Sequence, residues 1–168
     1  MNHYSQTLQQ IIKKAHRLLV QQSEVEFAQK TNPKRWSKKE ILGHLIDSAY
    51  NNHQRFLRAE AQGDLIFQGY NQNEWVRKNN YQNRSLEEIV ETWRLTNLHL
   101  SHLIANLPEA SLQQTTTVHN FHIIGMNRPQ EGAPSSLSYL IWDYIFHLEH
   151  HLVQILEDYE RVGDPFEG

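Results

Sequence analysis

Apolar residues return at three- and four-residue steps in four stretches of the chain, the period of a helix that buries one face. In residues 4–28 the positions are Leu8, Ile11, Ile12, Ala15, Leu18, Leu19 and Val25, and Thr31-Asn32-Pro33 lies beyond them as a stop. The second stretch, residues 37–62, opens on Ser37 and Glu40, the S-x-x-E box that satisfies the first free amides of a helix, and carries Ile41, Leu45, Ala49 and Phe56. Another such box, Ser85 with Glu88, starts the third at residues 85–107, whose stripe is Ile89, Trp93, Leu100, Leu103 and Ile104; Pro108 closes it. The fourth begins near Ser135 or Ser136 and repeats Leu137, Ile141, Tyr144, Leu148, Leu152, Ile155 and Tyr159.

The intervening residues carry turn chemistry. Residues 63–83 are polar, with Phe67, Tyr70, Trp75 and Tyr81 as punctuation, and predict a long connection that packs down and includes one short helix near residues 73–77. Residues 108–134 contain Gly125, Pro129, Gly132 and Pro134, and their only β-favouring run is 118–124. Four helices with two long crossover connections predict an all-α, four-helix bundle that is not a simple meander.

Length and composition narrow the function. A chain of 168 residues fits one domain over residues 1–168. With 16 basic and 19 acidic residues and a net charge of -3, it offers no basic field for a nucleic-acid partner. No apolar run approaches the roughly 18 residues of a membrane span, and the first ten residues lack the basic and apolar pattern of a leader, so a cytoplasmic protein with no membrane partner is expected. No cysteine is present, which leaves nitrogen and oxygen as the donors for any metal.

Eleven histidines remain to be explained. His147 and His151 stand four residues apart on the fourth helix, so both imidazoles point the same way and can grip one ion. His151 falls inside the apolar stripe with His147 at its edge, while His150 belongs on the wetter side. His44 lies at the margin of the second helix's stripe, as His147 does on the fourth, and could meet that pair in one cleft. Three neutral ligands leave coordination positions open, as a reactive metal requires. For each histidine the competing reading is a hydrogen-bonded core residue. Asp47, three residues after His44, and Asp143, one turn before His147, are candidate acceptors for the second imidazole nitrogen, with a solvated carboxylate as the alternative for either. Glu149 projects away from the ion. The chain contains no G-x-S-x-G elbow, no phosphate-cradling glycine loop and no H-E-x-x-H pair.

Three segments together resemble a known family: W-S-K-K-E-I-L-G-H-L-I-D-S-A running into N-N-H-Q-R-F, the Q-G-Y-N-Q-N-E-W connection, and the H-L-E-H-H-L-V-Q-I helix. They are similar to the DinB-like superfamily, and most of all to its YfiT-like metal-dependent hydrolases, over residues 36–155. The resemblance implies a bundle of up-down-down-up connectivity and a divalent metal, zinc, nickel or iron, on His44, His147 and His151. It also implies a homodimer and, as in some relatives, transfer of a low-molecular-weight thiol to an electrophile. Two functions are carried forward: a metal-dependent enzyme acting on a small molecule by thiol transfer or hydrolysis, and a non-catalytic metal-binding or stress-response module. For the enzyme, activity is expected to fall as pH drops through about 6.5, where free histidine titrates.

Overall fold

A computed structural model describes residues 2–61 and 64–162 of the chain. Its helices are α1 (His3–Leu19), α2 (Glu24–Ala28), α3 (Lys38–Ala61), α4 (Gln72–Asn79), α5 (Leu86–Ala105), α6 (Glu109–Gln113), α7 (Phe121–Ile124) and α8 (Leu137–Ile155). Two short strands, β1 (Thr115–Thr116) and β2 (Ser135–Ser136), pair antiparallel. No helix among the described residues is long and apolar enough to cross a membrane.

The four long helices follow the four periodic stretches, and their starts follow the caps. Ser37 and Glu40 form the reciprocal pair, Ser37 N–H donating to Glu40 Oε2 at 2.8 Å and Glu40 N–H to Ser37 Oγ at 3.1 Å. Ser85 accepts from the Glu88 amide, and Ser136 from the Tyr139 amide. The first stretch divides where a single helix was expected. Gln22 turns its side chain back onto Leu18 O at 3.0 Å, and Ser23 caps a new short helix by accepting the Glu26 amide. Val25, which extended the apolar count, is 79% exposed and belongs to no core. The last helix also stops early, at Ile155, and Tyr159 reaches back from the following coil to donate to Glu149 Oε1 at 2.7 Å.

Helix α1 packs on α5 and α8, and α3 packs on the same two, so α5 and α8 separate α1 from α3. Asn2, capping the start of α1, donates to Ile104 O at the end of α5, which makes that pair antiparallel. Ser37, capping α3, binds Gln82 just before α5, and His53 and His99 meet further along, so α3 and α5 run parallel. Early His44 lies against late His147 while late Phe56 packs edge-on to early Tyr144, so α3 and α8 are antiparallel. The connectivity is up-down-down-up. Trp93, Phe27, Phe56, Leu8, Leu42 and Leu45 are fully buried at its centre. Asn97 on α5 accepts the Tyr144 hydroxyl of α8, and Ser5 and Ser101 join α1 to α5 at 3.1 Å.

The crossovers are ordered by hydrogen bonds to each other. Leu65 N–H donates to Val118 O, Asn120 N–H donates to Leu65 O, and the Asn120 side chain brackets Phe67, accepting its amide at 3.1 Å and donating to its carbonyl at 2.7 Å. The expected short helix is α4, capped by Asn71. The 118–124 run is not a strand beyond a single bridge from His119 to Leu65. Ile124 N–H turns to Asn120 O and Gly125 N–H to Phe121 O, making a helical turn, because no neighbouring strand continues past Leu65 to pair with it.

Candidate metal centre

The antiparallel crossing of α3 and α8 brings His44, His147 and His151 together, with one ring nitrogen from each within 4.8 Å of the others. His44 Nε2 and His147 Nε2 are 3.1 Å apart. Two nitrogens bound to one zinc at about 2.0–2.1 Å in tetrahedral geometry stand roughly 3.3–3.4 Å from each other, so the spacing is close to that of a ligand pair. The rings meet edge to face, His44 with its centroid 5.1 Å from His147 and 5.2 Å from His151. His44 is 1% exposed and lies against the Trp36 ring.

Burial sets their charge. Desolvation, helped by His151, pushes His44 down to about 3. It also holds His147 well below the usual histidine range, with His44 and His151 adding to the effect, and lowers His151 despite its hydrogen bond to Gln154. All three are neutral near pH 7, the form that donates a lone pair. His151 Nδ1 donates to Gln154 Oε1 at 2.9 Å, which leaves its Nε2 as the free donor atom. His147 Nδ1 faces Ser48 Oγ at 3.5 Å, and His44 Nδ1 is buried with no partner. Three neutral imidazoles without a carboxylate or thiolate suit zinc, nickel or ferrous iron and fit an ion that keeps open positions.

Both aspartates differ from their expected roles. Each is buried rather than solvated, and neither hydrogen-bonds to an imidazole. Asp47 Oδ1 accepts from Tyr81 Oη at 2.7 Å and Asn79 Nδ2 at 2.8 Å. Asp143 accepts the amides of Met126 and Asn127, at 3.0 and 2.6 Å, and so anchors the loop after α7. Side chains at i+3 and i−4 share a helix face with the histidines, but here each reaches a crossover segment lying over that face. The imidazole partner on α8 is Gln154, three residues after His151, and spacing alone did not mark it. Glu149 is buried and holds the C-terminal coil, away from the histidines, through Tyr159 and the Val162 amide. His150 is exposed at the rim, and His119 is a core histidine bonded to Ala133 O and the Phe121 amide.

His147 and His151 form one wall of a cleft of about 840 Å³, and buried His44 meets them without lining it. Its other walls include Ser48, Asn52 and Arg55 of α3, Tyr70 of the first crossover, and Met126 of the second. Tyr70 lines the cleft directly. Trp75 packs at a tilt against Tyr70, ring centroids 4.8 Å apart, and lines the adjoining cavity instead, so it supports the wall rather than forming it.

A model of the DinB superfamily matches residues 7–155. The chain belongs to that superfamily. It is 23% identical over 146 residues, 83% of this chain and 75% of the other, to a Halalkalibacterium halodurans protein named "Putative metal-dependent hydrolase". It superposes with a TM-score of 0.71 on YfiT from Bacillus subtilis, described as "a probable metal-dependent hydrolase with an unusual four-helix bundle topology", at 14% identity, covering 90% of this chain and 81% of that one. The mycothiol-dependent maleylpyruvate isomerase gives a TM-score of 0.66 at 11% identity, with 90% of this chain and 59% of the isomerase covered. At those identities the two structures establish the bundle fold.

Proposed function

We propose that this DinB-superfamily protein is a metal-dependent enzyme whose His44, His147 and His151 hold one divalent cation, zinc, nickel or iron, against the cleft. The observation that carries this is the convergence of three neutral imidazoles from two helices, two of them, His147 and His151, on the wall of a cavity large enough for a small molecule. When bound, such an ion supplies Lewis acidity, lowering the pKa of a water or thiol in contact with it and polarising an electrophile. The chain's own part is to present Nε2 lone pairs, to hold the His151 ring through Gln154, and to leave the cleft side of the site open. Thiol transfer and hydrolysis need the same activation. The names of similar proteins support both, one being called "Putative metal-dependent hydrolase" and another a mycothiol-dependent isomerase. A homodimer in the cytoplasm belongs to the same proposal, and sedimentation of the untagged protein tests the dimer.

Elemental analysis of untagged protein should find about one divalent ion per chain, lost in the triple alanine variant. The loaded protein, incubated with a thiol panel and an electrophile and then with esters and amides, should yield product in one arm, identified by mass. No product in either arm from fully loaded protein would favour the non-catalytic metal-binding module.

A further inference from the structure

Along α3, Ser48, Asn52 and Arg55 follow His44 at four- and three-residue steps on one helix face, and those three line the cleft. Arg55 is the unusual member. It is 9% exposed, and its one hydrogen bond among the described residues is a long one, Nη2 donating to Gln68 O at 3.4 Å. A guanidinium carries five N–H donors, so most have no protein acceptor. Among the described residues no carboxylate lies within ion-pair distance of it. Asp143, which acts on it electrostatically, already has both oxygens engaged by Met126 and Asn127.

Burying a guanidinium without an ion-pair partner is unfavourable, and an anion in the cleft would complete it. Asp143 lines the same cleft with both oxygens held by Met126 and Asn127, and Arg128 and His150 there add no further negative charge. The Arg55 charge is also felt at His147, which places it within electrostatic reach of that imidazole.

The geometry points to Arg55 as the anchor for a carboxylate on the cleft's ligand, holding it by a two-pronged hydrogen-bonded pair while the reacting end of the same molecule faces the histidines. This rests on the proposed catalytic reading of the cleft and names its substrate class: a small organic carboxylate. One guanidinium fork matches the two coplanar oxygens of a carboxylate, which is why Lys would be a poor substitute. The carboxylate could belong to the thiol or to its co-reactant, and the test separates them.

Titration calorimetry is run on metal-stripped protein and on the same protein reloaded with zinc, because zinc itself attracts carboxylates. One arm uses a homologous series of ω-mercaptocarboxylates against the matching mercaptoamides; the other uses sulfur-free monocarboxylates against their amides. In both metal states at least one carboxylate should bind on the order of ten- to a hundredfold more tightly than its amide, and Arg55→Gln should abolish that preference. A preference confined to the mercapto series assigns the carboxylate to the thiol, and one present without sulfur assigns it to the co-reactant. No preference in wild type, or one that folded Arg55→Gln keeps, overturns the inference. If that variant does not fold, the Arg55 Nε–H resonance of wild type decides: a shift tracking carboxylate occupancy supports the anchor, and an unmoved resonance overturns it. Loss of the metal reading would show separately, as protein that binds no zinc yet still prefers carboxylates.

Discussion

Gly43 stands beside His44 because an aromatic ring occupies the space of its side chain: a Cβ built there would lie 2.2 Å from the Tyr81 ring. The same ring sends its hydroxyl to Asp47, so the G-H-L-I-D sequence is a seat for Tyr81 with the histidine held between its ends. Gly43→Ala should cost about 1–3 kcal/mol through overpacking, read as a lower Tm. Asp47 gives a pH signature of its own. Burial, opposed by the Tyr81 and Asn79 hydrogen bonds, raises it from 3.8 to about 6. Between those values the folded chain keeps a proton that the unfolded chain has released, so the contribution of Asp47 to stability is greatest below 3.8 and is lost as pH rises through about 6. The buried histidines have the opposite sign, since the unfolded chain takes up their protons below 6.5 and the folded chain resists to about 3 at His44. Comparing metal-free Asp47→Asn with wild type cancels the histidines. The variant's Tm advantage should be largest near pH 7 and vanish near pH 4; an advantage independent of pH would contradict the raised carboxyl. The depressed imidazoles bear on the metal as well: protons should displace it from the folded site below the 6.5 of a free histidine. Gln154→Ala should weaken zinc by about tenfold, and His150→Ala should leave metal content unchanged, both by elemental analysis after competition with a chelator.

At the scale of elements, the bundle was legible because its helices are long, amphipathic and capped by Ser37, Ser85 and Ser136. The histidine cluster was legible because an i,i+4 pair fixes its own geometry, while the placing of His44 drew on the family resemblance as well as on its stripe. What periodicity missed was decided by exposure and by tertiary partners. Ser23 and Glu26 also make an S-x-x-E box, hidden by Val25, whose apolar character implies burial that the fold does not give it. Arg55 could have been suspected from the polar line His44, Ser48, Asn52 and Arg55 on a helix that must bury that face, but only the structure shows its guanidinium without an ion-pair partner among the described residues. The pairing of the two crossovers joins residues more than fifty apart, which no local pattern encodes. Asn120 carries it, holding both backbone groups of Phe67. Asn120→Ala should lose about 1–2 kcal/mol and speed amide exchange at Leu65 and Phe67 without altering zinc content. Exchange unchanged at both residues would show that the strap is held by other contacts.

For the whole molecule, up-down-down-up connectivity is what makes the site. It sets α3 antiparallel to α8, so a histidine near the start of one helix meets two near the end of the other, and it leaves two crossovers free to wall the cleft. The core of Trp93, Phe56, Leu8 and their neighbours is built from apolar side chains of all four long helices, unlike a small domain whose fold depends on a metal. Chelation should therefore lower the Tm while leaving the far-UV helical signal intact at 25 °C. Because the ion binds only the folded site, free zinc at about a hundred times its dissociation constant should add roughly 2.7 kcal/mol, and the Tm should climb with zinc concentration. His44→Ala, which removes the only ligand from α3, should flatten that climb even though its helices remain assembled. If chelation instead melts the helices, the ion serves the fold and the catalytic proposal loses its basis. If His44→Ala climbs as steeply as wild type, α8 binds the ion alone and the crossing of the two helices has another purpose.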